Sequence, residues 1–233
     1  MNSIVTKGIV LTRTDFGEAD RIITFLTSDH GKLRAMAKGV RKSQSKLAGG
    51  IELFSISNLT FIKGRGEIYT LISTRLDKHF GKIVTELDRT QAGYAILKLL
   101  NRATEDQPES AYFDLLTRSF EALNDLDVDP TLTKLWFEMQ LLKLSGHSPN
   151  LKTDTKGQAL QVNGAYAFHF DRMTFQPVAQ KSPARLPTEA IKFLRLGFSN
   201  HRPKALQRIQ DLDKLIAPTD KVIHSILRTH LRT

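Results

Sequence analysis

The rhythm of apolar and polar positions changes near residue 80. Before it the chain runs in short β-type stretches. Ser3–Thr14 carries Ile4, Val5, Ile9, Val10 and Leu11, and Arg21–Thr27 reads Arg-Ile-Ile-Thr-Phe-Leu-Thr. Leu33–Ala37, Leu53–Ile62 and Glu67–Leu76 follow. β-Branched and aromatic residues suit a pleated, half-buried surface, so each stretch predicts a strand. Gly8 reads as a bulge or bend in the first. Asp29-His30-Gly31 and Lys63-Gly64-Arg65-Gly66 supply turn chemistry between later strands. Five short strands in about 75 residues bury their edges only by curling into a small barrel. The five-stranded oligonucleotide-binding (OB) barrel is the commonest such fold, and a five-stranded SH3-like barrel has the same spacing.

Beyond residue 81 the period becomes helical. Ile83, Leu87, Tyr94, Leu97 and Leu100 mark a first helix, Phe113, Leu116, Phe120 and Leu123 a second, and Leu132, Leu135, Met139 and Leu142 a third. Asp129-Pro130 opens the third helix as cap and first turn, and Gly146 with Pro149 closes it. Residues 151–180 lose this period, and Leu160–Val162, Asn163-Gly164 and Tyr166–Phe170 predict a small hairpin. Pro187–Leu196, Pro203–Ile216 and Pro218–Leu231 read as three short helices, each opening near a proline. The expected class is α+β: a barrel over 1–80, then a mainly helical domain over 81–233 carrying a β-hairpin insertion at 151–180.

Composition narrows what such a chain can do. Its 233 residues, 40% hydrophobic and 25% charged, suit one large or two small globular domains. The absence of cysteine excludes disulfides, thiolate metal sites and cysteine nucleophiles. No apolar run approaches the roughly 20 residues that cross a bilayer. The start of the chain meets Lys7 and Arg13 early, unlike a signal peptide. A soluble cytoplasmic protein is the expectation.

The net charge of +10 is unevenly spread. Residues 1–80 carry +6, residues 81–150 carry −4 and residues 151–233 carry +8. Basic ends around an acidic middle favour a polyanionic partner, since Lys and Arg that neutralise phosphates release counterions. The focus is Lys32–Lys46, with six basic residues and no acidic one. On a strand Lys32, Arg34 and Lys38 leave one face, with Ala35 and Ala37 opposite. Arg41, Lys42 and Lys46 continue onto a Ser- and Gly-containing loop, which can track a phosphate backbone. The plainer reading is a solvated strand face. Lys63 and Arg65 on the Gly64/Gly66 tip form a second basic candidate, and Phe54, Phe61, Tyr69 and Phe80 are candidate stacking rings or core residues.

Catalytic constellations are poor. The seven histidines form no convincing metal pair with carboxylates, His169-Phe170-Asp171 being the nearest approach. There is no Walker loop, nucleophile elbow or nuclease-type carboxylate cluster. Neither enzymatic activity nor a cofactor is expected.

Several ordered segments resemble the bacterial DNA repair protein family RecO. They are Gly17-Glu18-Ala19-Asp20-Arg21-Ile22-Ile23, Gly31-Lys32-Leu33-Arg34-Ala35-Met36-Ala37-Lys38-Gly39-Val40-Arg41-Lys42 and Gly64-Arg65-Gly66-Glu67-Ile68-Tyr69-Thr70-Leu71. In the helical part, Trp136-Phe137-Glu138-Met139-Gln140-Leu141-Leu142 precedes Gly146-His147-Ser148-Pro149-Asn150-Leu151. The likeness is close over 1–151 and loose beyond. It implies a recombination mediator with an OB-fold barrel and a helical domain. Such a protein binds single- and double-stranded DNA, anneals complementary strands and helps load recombinase onto strand coated by single-strand-binding protein. It also implies RecR and the acidic tail of the single-strand-binding protein as partners, and work at the bacterial nucleoid. The basic barrel residues implied are Arg34, Lys38, Arg41 and Lys42, with Lys46, Lys63 and Arg65 less securely placed. Arg21, in the Asp-Arg-Ile motif, is instead a candidate for pairing with a carboxylate. Many members carry a four-cysteine zinc site after the Pro-x-Leu element. Here its first pair would fall near Asp154 and Gly157, where no cysteine stands. The alternative function is an adaptor whose helical domain docks repair partners, with DNA binding secondary.

Overall fold

The computed structural model describes residues 3–64, 66–104 and 110–231. Five strands form a closed barrel: β1 (Ser3–Phe16), β2 (Asp20–Thr27), β3 (Lys32–Ala37), β4 (Ser55–Ile62) and β5 (Tyr69–His79). The order is β1-β2-β3-β5-β4, with β1 antiparallel to both β2 and β4, and β3 parallel to β5. This closure is that of an OB fold. The long β1 serves two neighbours because its register shifts between Val10 and Thr12. The bulge therefore lies there and not at Gly8. Gly8 answers a packing need instead, since a Cβ on it would stand 2.5 Å from Leu59 Cδ1.

The barrel core holds Val10, Ile23, Phe25, Leu33, Ala35, Ala37, Leu59, Phe61 and Leu71. β3 alternates as the sequence requires: Leu33, Ala35 and Ala37 are buried, whereas Lys32 and Met36 are half-buried and Arg34 is exposed. Leu26 has the parity of the outer face yet is buried, and β2 is the strand that contacts the helix Ser110–Asn124.

The chain divides into two compact units, Met1–Asp125 and Leu126–Thr233. The first therefore reaches past the strand-to-helix change at residue 80 and includes α1 (Leu87–Ala103) and α2 (Ser110–Asn124). The reason is a cluster of rings. Phe120 of α2 meets Phe54 at 5.4 Å and Phe80 at 5.5 Å, both edge-on, and all three are buried. Gly93 of α1 lets this helix settle onto Phe54, since a Cβ there would stand 2.6 Å from the ring. Buried Arg89 pairs with Glu86 at 2.7 Å and donates to the carbonyls of Leu123 and Asp125.

The second unit is built on α3 (Pro130–Leu144), with nine buried residues on nearly every side. Asp129 caps it through a 2.7 Å bond from the Leu132 N–H, and Gly146, at φ +77°, ends it. The hairpin lies later than the sequence suggests: β6 (Tyr166–His169) pairs with β7 (Thr174–Pro177), and Leu160–Val162 forms no strand. The Phe168 and Phe175 rings, 5.3 Å apart, pack it together. Asp154 organises the preceding loop, its carboxylate accepting from the N–H groups of Lys156 (2.8 Å) and Gln158 (2.9 Å). After α4 (Thr188–Gly197) and the single turn α5 (Pro203–Leu206) comes α6 (Leu212–His230). Pro218 does not open a helix but lies inside α6. The buried face Leu215, Thr219, Val222, Ile223, Ile226 and Leu227 continues across it, so packing outweighs the missing backbone bond. No helix among the described residues is long and apolar enough to cross a membrane.

Candidate nucleic-acid interface

The outer face of β1, β2 and β3 is a strip of surface, called the groove below, that runs to a cavity lined in part by β3. Register sets its floor: Thr14 pairs with Ile22, Ile22 with Met36, and Thr24 with Arg34. Paired residues point to the same side of a sheet, so these side chains share one surface. Ile22, Thr24 and Met36 are half-buried and uncharged, a mixed apolar floor. Arg34 stands on it, exposed, and Lys38 follows just past the strand end.

At one end the groove meets the β1–β2 hairpin and the basic loop. Gly39, at φ +63°, turns the chain out of β3, and its N–H is held by the Asp20 carboxylate at 2.7 Å. The Arg41 N–H donates to the Ala19 carbonyl at 2.9 Å, which ties the loop to the hairpin tip. Asp15 on that hairpin accepts from Arg21 at 2.7 Å and lies 3.6 Å from Arg41. The Arg21 hydrogen bond, helped by the charges of Arg41 and Arg13, holds the Asp15 carboxyl below its ordinary range. Arg41 and Arg21 are thus already partly neutralised within the protein. Lys38, Lys42 and Lys46 are exposed and form no ion pair among the described residues.

The other end is a polar cavity of about 670 Å³ lined by His30, Lys32, Arg34, Lys63, Glu67 and Tyr69 among others. The Lys63 ammonium sits over the Tyr69 ring at 5.9 Å. Lys32 is used differently from its neighbours. Its ammonium donates to the carbonyls of Asn101 and Thr104 at the end of α1, where a cation complements the helix dipole. Arg65 lies outside the described residues.

Of the eight basic candidates, Lys38, Arg41, Lys42 and Lys46 follow the end of β3, while Lys32, Arg34 and Lys63 line the cavity at the other end. Of the rings proposed for stacking, Phe54 (1% exposed), Phe61 (0%) and Phe80 (1%) are core, and Tyr69 is half-buried against Phe61. Sequence reasoning passed over Asp15 and Phe16, because it ended the first strand at Thr14. Even spacing from Thr12 through Thr14 to Phe16 was the available signal. Among the described residues no group of three or more His, Cys, Asp or Glu side chains could hold a metal ion. The unpaired lysines and the uncharged floor between them suit an extended polyanion with flat, sequence-variable side groups.

The model described as recombination protein O N terminal matches residues 1–80, and that described as recombination protein O C terminal matches residues 84–232. A protein of Acetivibrio thermocellus named DNA repair protein RecO is 34% identical over 150 residues, covering 64% of this chain and 59% of the relative. One of the same name from Roseiflexus is 38% identical over 148 residues, covering 63% and 51%. A Listeria welshimeri relative is 30% identical over 202 residues, covering 82% and 76%. The chain thus spans less than two thirds of the first two relatives' lengths.

Proposed function

The chain belongs to the RecO family of recombination proteins, and from that premise we propose that it is a recombination mediator in DNA repair. It captures single- and double-stranded DNA in the barrel groove, anneals complementary strands and helps load recombinase onto protein-coated single strand, by binding alone and without a chemical step. The observation that carries this reading is the set of cations Arg34, Lys38, Lys42, Lys46 and Lys63, which form no ion pair among the described residues and stand on β3, on the loop after it and at the cavity that Arg34 lines. Neutralised phosphates no longer repel a second strand, so complementary bases can meet. Capture of this kind is insensitive to sequence and falls steeply with salt.

RecR and the acidic tail of single-strand-binding protein are the proposed partners. For the tail, the second unit offers a groove of about 400 Å³ with Phe168, Phe170, Leu186 and Val222 as apolar lining and Arg185 and Lys221 as cations. This groove also favours the second reading, an adaptor in which DNA binding is secondary.

The test is a strand-annealing assay on bare single strands and on strands coated with single-strand-binding protein. Acceleration of both supports the mediator. A protein that accelerates neither refutes it, and one that captures the coating protein yet leaves annealing unchanged is the adaptor.

A further inference from the structure

Among the described residues two phenylalanines are exposed, Phe16 and Phe170, and Phe170 has its ring edge-on to Phe168 at 5.1 Å. Phe16 is 52% exposed at the tip of the β1–β2 hairpin and makes no ring contact with another described aromatic. Tyr94, equally exposed in the same unit, has its ring edge-on to Phe54 at 5.4 Å, so it belongs to the packing that Phe16 lacks. A phenyl ring so exposed forgoes about half of the burial it could gain. Its position is informative. Phe16 pairs with Asp20, and its parity on β1 is that of Thr14, whose partner Ile22 faces Met36 across β2 and β3. The ring therefore rises from the same face as the groove floor, about 13 Å along β2 from the Thr24–Arg34 pair at a strand rise of about 3.3 Å per residue. Its two chain neighbours are held by one cation: Arg41 lies 3.6 Å from Asp15 and donates to the Gly17 carbonyl. Gly17, at φ +57°, fixes the turn that presents the ring. A flat apolar ring thus stands at the hairpin end of this face, with the Arg41 guanidinium bonded to the carbonyl of the next residue.

We propose that Phe16 is the base-stacking residue of this groove: an unpaired nucleobase lies on its ring while Lys38 and Lys42 hold the adjoining phosphates. The inference rests on the barrel groove being the DNA site and adds the part that recognises strandedness. A base within a duplex has both faces covered by its neighbours, whereas an unpaired base offers one to Phe16. The ring favours single strands over duplex without reading sequence, because every base has a flat face.

Fluorescence anisotropy of the full chain with three labelled probes tests it: a thymine oligonucleotide, an abasic strand of the same length, and a duplex. Phe16→Ala is expected to weaken the thymine strand about five- to 150-fold, the range of one lost stack. Abasic-strand and duplex affinity should hold, as should the slope of log affinity against log salt, since no phosphate contact is lost. Phe16→Trp should retain affinity, with its added fluorescence quenched by the oligonucleotide. Equal affinity of Phe16→Ala and wild type for the thymine strand overturns the proposal. So does an equal loss on the abasic strand, or an unquenched indole. If instead the wild-type protein fails to bind even the abasic strand in a salt-dependent manner, the groove itself is not the DNA site.

Discussion

Replacing Lys38, Lys42 and Lys46 together by alanine tests the electrostatic account most directly. These three are exposed, unpaired among the described residues, and lie on a loop fixed by backbone contacts of Gly39 and Arg41 instead of their own side chains. Their removal should leave the fold intact, because surface changes away from special contacts are worth within about 0.5 kcal/mol each. Five unpaired groove cations each neutralising one phosphate give a salt slope of about −3.5 on single strands, at about 0.7 per contact. Between 50 and 200 mM salt such a protein loses affinity by about 130-fold. With Arg34 and Lys63 alone the slope falls to about −1.4, and the same change costs only about sevenfold. The measurement is anisotropy of a labelled single strand titrated at four or more salt concentrations. Lys152, Lys156 and Lys192, exposed lysines of the second unit, serve as a matched control triple. A slope that stays near −3.5 in the loop triple, or drops equally in the control, refutes the assignment of phosphate contacts to this loop.

Four further outcomes follow from named contacts. Asp15→Asn should tighten DNA binding and steepen the salt slope by up to about 1.4, because Arg21 and Arg41 lose their internal counter-charge; an unchanged slope in the same anisotropy titration counts against it. Phe120→Ala should destabilise the first unit by about 3–5 kcal/mol in urea denaturation, since the ring seals Phe54 and Phe80. By the same packing, residues 1–125 should unfold cooperatively as a fragment while residues 1–80 expose those rings and bind a hydrophobic dye. Burial pushes the Glu138 carboxyl up, against the pull of Lys134 at 2.7 Å. A raised folded-state value means the contribution is present below the ordinary carboxyl range near 4.5 and is lost as pH rises through the raised value. Wild type should therefore lose stability relative to Glu138→Gln as pH rises above the ordinary carboxyl value near 4.5, as read by denaturant midpoints.

Much of this was legible from residue order, for identifiable reasons. The strands were readable because β-branched runs and their turn residues are local signals, and α3 because Asp129, Pro130 and Gly146 mark its ends through backbone chemistry alone. Pro218 misled for the same local reason: a proline reads as a helix start until an apolar face on both sides of it is seen to pack. The parity of Arg34 and Lys38 against Ala35 and Ala37 was also local, and β3 follows it.

What the sequence determined by itself was the inventory: five strands then helices, an excess of cations centred on Lys32–Lys46, and family motifs spread over both halves. Tertiary structure decided which members of that inventory are available. Lys32 lies in the same basic run as Lys38, yet its ammonium is drawn to the end of a helix some 70 residues away in sequence. Arg41 is shared with Asp15 across a hairpin. Phe54, Phe61 and Phe80 are withdrawn into the core while Phe16, two residues beyond the predicted first strand, is left exposed. Charge and aromaticity are properties of single residues and can be counted along a chain. Whether a charge is already neutralised, or a ring already covered, depends on what folding brings beside it.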